Sequence, residues 1–337
     1  MNPAHVRTLD KARVLDHVHA RPGETKLGQR IHLASDYADW HAVKAAGGSV
    51  VLLGMPEQSG PRANCGKGGA HLGWQAFLSA FLNLQENALL SAQSLVLLGE
   101  VICDDLPYSD DLGQLREQVD ELDRRLLQVL APIFAAGLIP VVIGGGHNNA
   151  YGLIRACSEH LAEPMAVCNL DPHADFRQPE GRHSGNAFRY AYEQGYLSHY
   201  TVVGLHEQKN SAEALQALQY AGFPWFSIQQ IQWRRELTFS EALEQAQQYL
   251  KGAARPVGLE LDMDAISDMP TSAITSAGVQ LDDAIYYVHR LSQANSVQYL
   301  HLAEAAPERH PAGEAAGLRV TGQALAELVS AFIKARA

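Results

Sequence analysis

The sequence predicts an α/β fold, a mostly parallel β-sheet covered on both faces by helices to make a three-layer α/β/α sandwich. Short apolar runs rich in branched residues recur at 49–54, 94–102, 139–144, 164–170, 200–205, 223–228, 256–261 and 297–302. Their apolarity is continuous rather than alternating, which is what strands buried on both faces require. Between them lie segments whose apolar residues step by three and four, so strand and helix alternate along the chain.

Taken in order, residues 1–45 read as a weakly patterned N-terminal extension of a single domain spanning 1–337. His17 and His19 have no acid near them in a comparable setting and are not read as ligands. The first predicted strand is followed by a polar, glycine-rich loop carrying Arg62, Asn64 and Lys67, then by a predicted helix over 71–85. That loop, with five residues between Gly60 and Gly66 and none of the required hydroxyls after Lys67, does not fit a phosphate-binding P-loop. The clearest helix places Leu115, Val119, Leu122, Leu126, Val129 and Ile133 on one face, with Gly137 suited to ending it. Further helices are predicted over 149–160, 211–220, 240–250, 281–293 and 321–335.

With 337 residues, 47% of them hydrophobic, the chain is long enough to bury the core of one large domain. Its net charge of −11, without a basic stripe, argues against nucleic acid and against an anionic membrane surface as partners. No apolar leader and no run of membrane-spanning length is present, so a cytoplasmic location is expected. Cys65, Cys103, Cys157 and Cys168 are widely spaced with no C-x-x-C pair, and read as reduced thiols, the last two in the core.

Three of the predicted strands end in chemistry. Asp171, His173 and Asp175 occupy alternate positions directly after the run ending at Leu170, and on extended backbone such residues share a face. The run at 139–144 opens through Gly144, Gly145 and Gly146 onto His147, and the run at 256–261 ends in Asp262 and Asp264. The C-terminal edge of a parallel sheet is where such folds build their sites. Four carboxylates carry about four negative charges, which two divalent ions balance and one leaves half compensated. The set His147, Asp171, His173, Asp175, Asp262 and Asp264 holds nitrogen and oxygen donors without thiolate, which favours a hard ion such as manganese over structural zinc. Asp268, near Pro270, reads as a turn residue, and Glu260, inside its strand, is expected to face away from the site.

Gly-Gly-Gly-His at 144–147, Asp-Pro-His-Ala-Asp at 171–175 and Asp-Met-Asp at 262–264 resemble, in order and spacing, the metal motifs of the ureohydrolase (arginase and agmatinase) family. The resemblance runs over roughly residues 50–330, and the loops at 62–70 and 182–188 look most like those of formimidoylglutamases. It implies an eight-stranded arginase-like sheet, two Mn2+ per chain, a trimer or hexamer, and hydrolysis of a carbon–nitrogen bond in a linear amidine. The implied substrate is N-formimidoyl-L-glutamate of histidine degradation, with guanidines that release urea as the alternative and a non-catalytic, metal-bound relative as the rival outside enzymes. It also implies catalytic roles for Asp264, for His183 as a proton shuttle near its ordinary pKa, and for Glu304 as the carboxylate that holds the amidine. Arg62, Asn64, Lys67, Ser184 and Asn186 are the expected substrate contacts, with Arg182 and Arg189 as further counter-charges and His206, Glu207 and Asn210 on the same rim.

Overall fold

A computed structural model of the chain describes residues 1–294 and 296–336. Its sheet comprises β1 (Val6–Thr8), β2 (His32–Leu33), β3 (Val50–Gly54), β4 (Leu95–Val101), β5 (Ile139–Ile143), β6 (Met165–Leu170), β7 (Leu197–Leu205), β8 (Trp225–Ser227), β9 (Val257–Asp262) and β10 (Val297–Ala303). They lie in the order β1-β4-β3-β5-β10-β9-β6-β7-β8, with β2 also paired to β4. Every pairing is parallel except that of β1 with β4.

Each of the eight expected strands is present, and the sheet gains two short ones from the N-terminal segment. β1 pairs with Gly99–Val101 and β2 with Val96 and Leu97, so they lie end to end along one side of β4. Strands of three and two residues are too short to show a period, which is why the segment looked unpatterned. The helices follow the expected positions closely. The last runs over Glu314–Lys334, starting seven residues before the predicted 321.

Alternation along each strand divides the interior into two cores. Val50, Leu52, Val141, Ile143, Cys168 and Leu170 face one layer, where the helices Gly73–Phe81, Phe239–Ala253, Leu281–Ala294 and Glu314–Lys334 bury residues such as Phe77, Leu250, Tyr287 and Phe332. Val51, Leu53, Val142, Met165 and Val167 face the other, against Leu126 of Leu112–Ala135, Ile154 of Asn149–Leu161, and Phe188 of Ala187–Glu193. A three-layer sandwich results, as expected.

One close approach in the second layer is sterically demanding. Tyr299 on β10 lies beside Gly258 on β9, and a Cβ at 258 would stand 2.3 Å from its hydroxyl and 2.4 Å from its Cζ. Gly258→Ala is therefore expected to destabilise the fold by about 1–3 kcal/mol, the usual range for overpacking. Denaturant unfolding measures this directly, and an unchanged midpoint would contradict the packing described.

Candidate active site

The strands that carry the chemistry are neighbours. β5, β10, β9 and β6 stand side by side in the middle of the sheet although two of them come late in the chain. Their registers set Ile143, Leu302, Leu261 and Leu170 abreast, and the residues that follow emerge together at the C-terminal edge.

From β5 the chain turns through Gly144 (φ +90°) and Gly145 (φ +72°) to His147. A Cβ at Gly145 would meet the Asn149 amide at 2.6 Å, the Met55 carbonyl at 2.7 Å and Glu57 at 2.9 Å, so only glycine fits. Glu57 ties this loop down. Its carboxylate accepts from the Gly146 N–H (2.6 Å), the Asn149 side chain (2.9 Å) and the Gly60 N–H (3.0 Å).

Buried His147 points Nδ1 at three carboxylates: Asp175 at 3.0 Å, Asp171 at 3.1 Å and Asp262 at 3.4 Å. Asp171 is braced by the His173 N–H (2.6 Å) and by the Asn169 side chain (2.9 Å). The His173 ring lies 3.7 Å from Asp264, whose N–H donates to Asp262 (2.7 Å). The six expected donors fall into two groups, His147 with Asp171, Asp175 and Asp262, and His173 with Asp262 and Asp264, each with ligand atoms within 4.8 Å of one another; His147 also forms a third such group with Glu260 and His301. Asp262 belongs to both. Asp175 (φ +45°) and Glu304 (φ +66°) hold left-handed backbone that non-glycine residues rarely adopt.

The electrostatics show what this arrangement lacks. Burial first, and then the neighbouring Asp264 and Asp171, push the Asp262 carboxyl well above the ordinary range. Burial, with Asp262 and Asp264, does the same to Glu304, and burial raises Asp175 and Asp264 as well. Asp171 goes down instead, to about 2; burial opposes its charge, but His147 and His173 outweigh that. Asp264 Oδ1 and Glu304 Oε2 are buried without a hydrogen-bond partner. Divalent cations would supply the missing positive charge, and the nitrogen and carboxylate donors fit hard ions.

These groups floor a cavity of about 510 Å³, whose lining includes Asn64, His173, Arg177, Ser184, Lys209, Asp264 and Glu304. Of the expected substrate contacts, Asn64 and Ser184 reach it. Arg62 does not: it is engaged by Asp110 and the Ser109 carbonyl and lies over the Tyr108 ring. Lys67 is exposed and outside the lining. Asn186 is spent inside its own loop, accepting from Arg182 (2.8 Å) and the His183 N–H (3.1 Å) and donating to the Gly181 carbonyl (2.8 Å). Arg182 is buried against Asp123, and Arg189 pairs with Glu193. Glu207 pairs with Arg234, whereas Asn210 lines the cavity as expected while bracing the Pro172–Ala174 turn, accepting from the Ala174 N–H (2.7 Å) and donating to the Pro172 carbonyl (2.9 Å). Asp268 keeps to its turn, accepting from the Ser276 hydroxyl (2.6 Å).

Two expectations change in kind. His183 is a buried cap rather than a solvent-linked histidine: Nδ1 accepts from the Gly185 N–H (3.1 Å) and Nε2 faces Glu180 (3.2 Å). Burial, then the charges of Arg177 and Arg116, lower its pKa to about 4, far from a shuttle's range. Glu260 was expected to face away, but positions 260 and 262 on one strand share a face, and its carboxylate lies 3.4 Å from His147 Nε2. Its partner His301 and the pocket cations Arg177 and Lys209 had no distinguishing local pattern. Glu260 alone could have been found, from the period of two.

Residues 48–333 match the sequence profile of the arginase family. The chain belongs to that family. With membership comes its general chemistry, hydrolysis of amidino carbon–nitrogen bonds. The chain is 28% identical over 275 residues to the formimidoylglutamase of Salmonella paratyphi B, covering 79% of this chain and 81% of that one. Among solved structures, it superimposes on the formimidoylglutamase of Bacillus subtilis with a TM-score of 0.76, at 18% identity and 94% coverage of both chains. On the Mn2+-containing formiminoglutamase of Trypanosoma cruzi the TM-score is 0.69, at 21% identity, with 92% of this chain and 98% of that one covered. Among the described residues no helix is long and apolar enough to cross a membrane.

The low pKa of His183 makes a signed prediction. A group held at about 4 in the folded state, against an ordinary 6.5, contributes stability that is complete above 6.5 and is lost as pH falls through 4. His183→Gln should flatten the decline in melting temperature of the metal-free protein over that window, while leaving activity at neutral pH within a few-fold. A pH profile superimposable on the parent's would refute the buried-cap reading.

Proposed function

We propose that the chain hydrolyses N-formimidoyl-L-glutamate to L-glutamate and formamide, using two manganese ions. The observation that carries this reading is the pairing of two donor groups sharing Asp262 with a cavity rim that holds Lys209, a lysine without an ion-pair partner among the described residues. His147, Asp171, Asp175 and Asp262 would hold one ion, and His173, Asp262 and Asp264 the other. Bound there, such ions lower the pKa of a water and make it a nucleophile at neutral pH.

The protein's own groups do the rest. Glu304 is fixed through one oxygen, which accepts from the His147 N–H (2.9 Å), and turns its unpartnered Oε2 toward the planar, cationic formimidoyl group. Asp264 takes the proton released by the attacking water and returns it to the departing nitrogen; the carbon–nitrogen bond breaks, the hydroxyl proton of the collapsing intermediate ends on the released amine, and glutamate departs as its ammonium form with formamide left behind. Lys209 and Arg177 receive the two carboxylates of the substrate; Arg177 is poised by Asn64 (2.8 Å) and Glu180 (2.7 Å). Ser184 and Asn64 line the wall between.

The direct test is release of formamide and glutamate from N-formimidoyl-L-glutamate by manganese-loaded protein, with arginine, agmatine and guanidinobutyrate assayed beside it for urea. Turnover of the first compound that disappears on chelation is expected. Urea from one of the others would move the substrate, and inactivity on all four would remove the proposal. Alanine at Asp171, His173 or Asp264 should abolish turnover with the fold retained. Lys209→Met should raise KM for the dicarboxylate about 10- to 100-fold, the worth of one charged hydrogen bond, with a smaller effect on kcat. An unchanged KM would take Lys209 out of substrate recognition.

A further inference from the structure

Beneath the site lies a polar layer that the proposed reaction does not use. Asn169 on β6, Glu260 on β9 and His301 on β10 stand in one register across the sheet, all fully buried, in line with Val142 on β5. Val142 shows what that face ordinarily accommodates. Three polar side chains in such a place are costly unless each has a task or a partner. Asn169 has both, since its amide braces Asp171 (2.9 Å) and donates to the Tyr200 hydroxyl (3.0 Å).

Glu260 and His301 are partners of each other. The His301 Nδ1 lies 2.6 Å from Glu260 Oε2. A carboxylate can only accept, so Nδ1 carries the proton and His301 supplies the donor that keeps the buried charge compensated. The same Oε2 is 3.4 Å from His147 Nε2, and the rings of His147 and His301 meet edge to face at 5.8 Å. On its other side, His147 turns Nδ1 to Asp171, Asp175 and Asp262. An imidazole that offers Nδ1 as a ligand keeps its proton on Nε2, where burial demands an acceptor. Glu260 is the carboxylate on that side.

We propose that Glu260, anchored by His301, is a positioning residue that sets the tautomer and orientation of His147, and so tunes one of the two ion sites and not the other. Neither residue touches substrate. The inference rests on the two-ion reading above, and the experiment separates the two. Ions per chain are counted by elemental analysis, and the two affinities are resolved by manganese titration against a competing chelator. Parent protein that binds no divalent ion would sink the proposed function itself.

Given two ions in the parent, Glu260→Leu should weaken one of them about 10- to 100-fold, the usual effect of losing an outer partner of a ligand histidine, and leave the other unchanged. Glu260→Gln keeps an acceptor oxygen and should recover most of the loss. Both affinities unchanged in Glu260→Leu, or both reduced alike, would overturn the proposal. So would a third ion per chain lost with Glu260, which would make His147, Glu260 and His301 a ligand set. If Glu260→Leu does not fold, His301→Leu, which leaves the carboxylate without its donor, carries the same reading: one affinity reduced supports the assignment, and none reduced overturns it. Histidine labelled with 15N in zinc-loaded parent gives an independent readout. The His147 signals should show a protonated Nε2 engaged in a hydrogen bond, and an Nδ1-protonated ring would refute the arrangement.

Discussion

At the C-terminal edge of β5, β10, β9 and β6, the backbone delivers Asp171, Asp175, Asp262, Asp264 and Glu304 into one largely buried space, where among the described residues His147 and His173 are the imidazoles that stand between them. Carboxylates so close and so far from water resist ionisation, as the raised positions of Asp262 and Glu304 show. Much of the surrounding structure answers to that constraint. Glu57 pins the glycine turn that aims His147, Asn169 and Asn210 brace the turn that presents Asp171, His173 and Asp175, and the left-handed backbones at Asp175 and Glu304 turn both acids inward. A metal ligand set is the arrangement under which this concentration of charge becomes favourable rather than merely tolerated.

The cavity above the acids differs in character from its floor. Its rim mixes cations and anions, with Arg177 against Glu180 and Glu213 nearby, so the field there is local rather than uniformly positive. Within that mixture Lys209 stands out because, among the described residues, its ammonium meets only the Ala273 carbonyl, at 3.3 Å. The floor of acids and the lysine of the rim thus set opposite charges at the two ends of the cavity.

Local pattern made the six proposed ion donors legible. His147, Asp171, His173, Asp175, Asp262 and Asp264 lie within a few residues of strand ends that apolar runs announce, and the structure does bring them together. The same rule of alternation, carried one step back along β9, would have put Glu260 on the face of Asp262. His183, Asn186 and Arg62 are held by other partners than a substrate for a common reason. Each sits in a polar loop beside the site, and whether such a side chain points inward depends on competing partners, here Gly185, Arg182 and Asp110, that no spacing reveals.

By itself, then, the sequence determined the alternation of strand and helix, the continuous apolarity of the buried strands, and the local geometry that sets acids two residues apart on a common face, because these follow from periods of a few residues. Only the tertiary structure decided that β10 and β9 insert between β5 and β6, that the short β1 and β2 join the sheet at β4, and that His301 meets Glu260 beneath His147. Those outcomes depend on which strands pair across long stretches of chain. Pairing is chosen by the packing of whole layers, a sum over contacts distant in sequence, rather than by any residue's immediate neighbours.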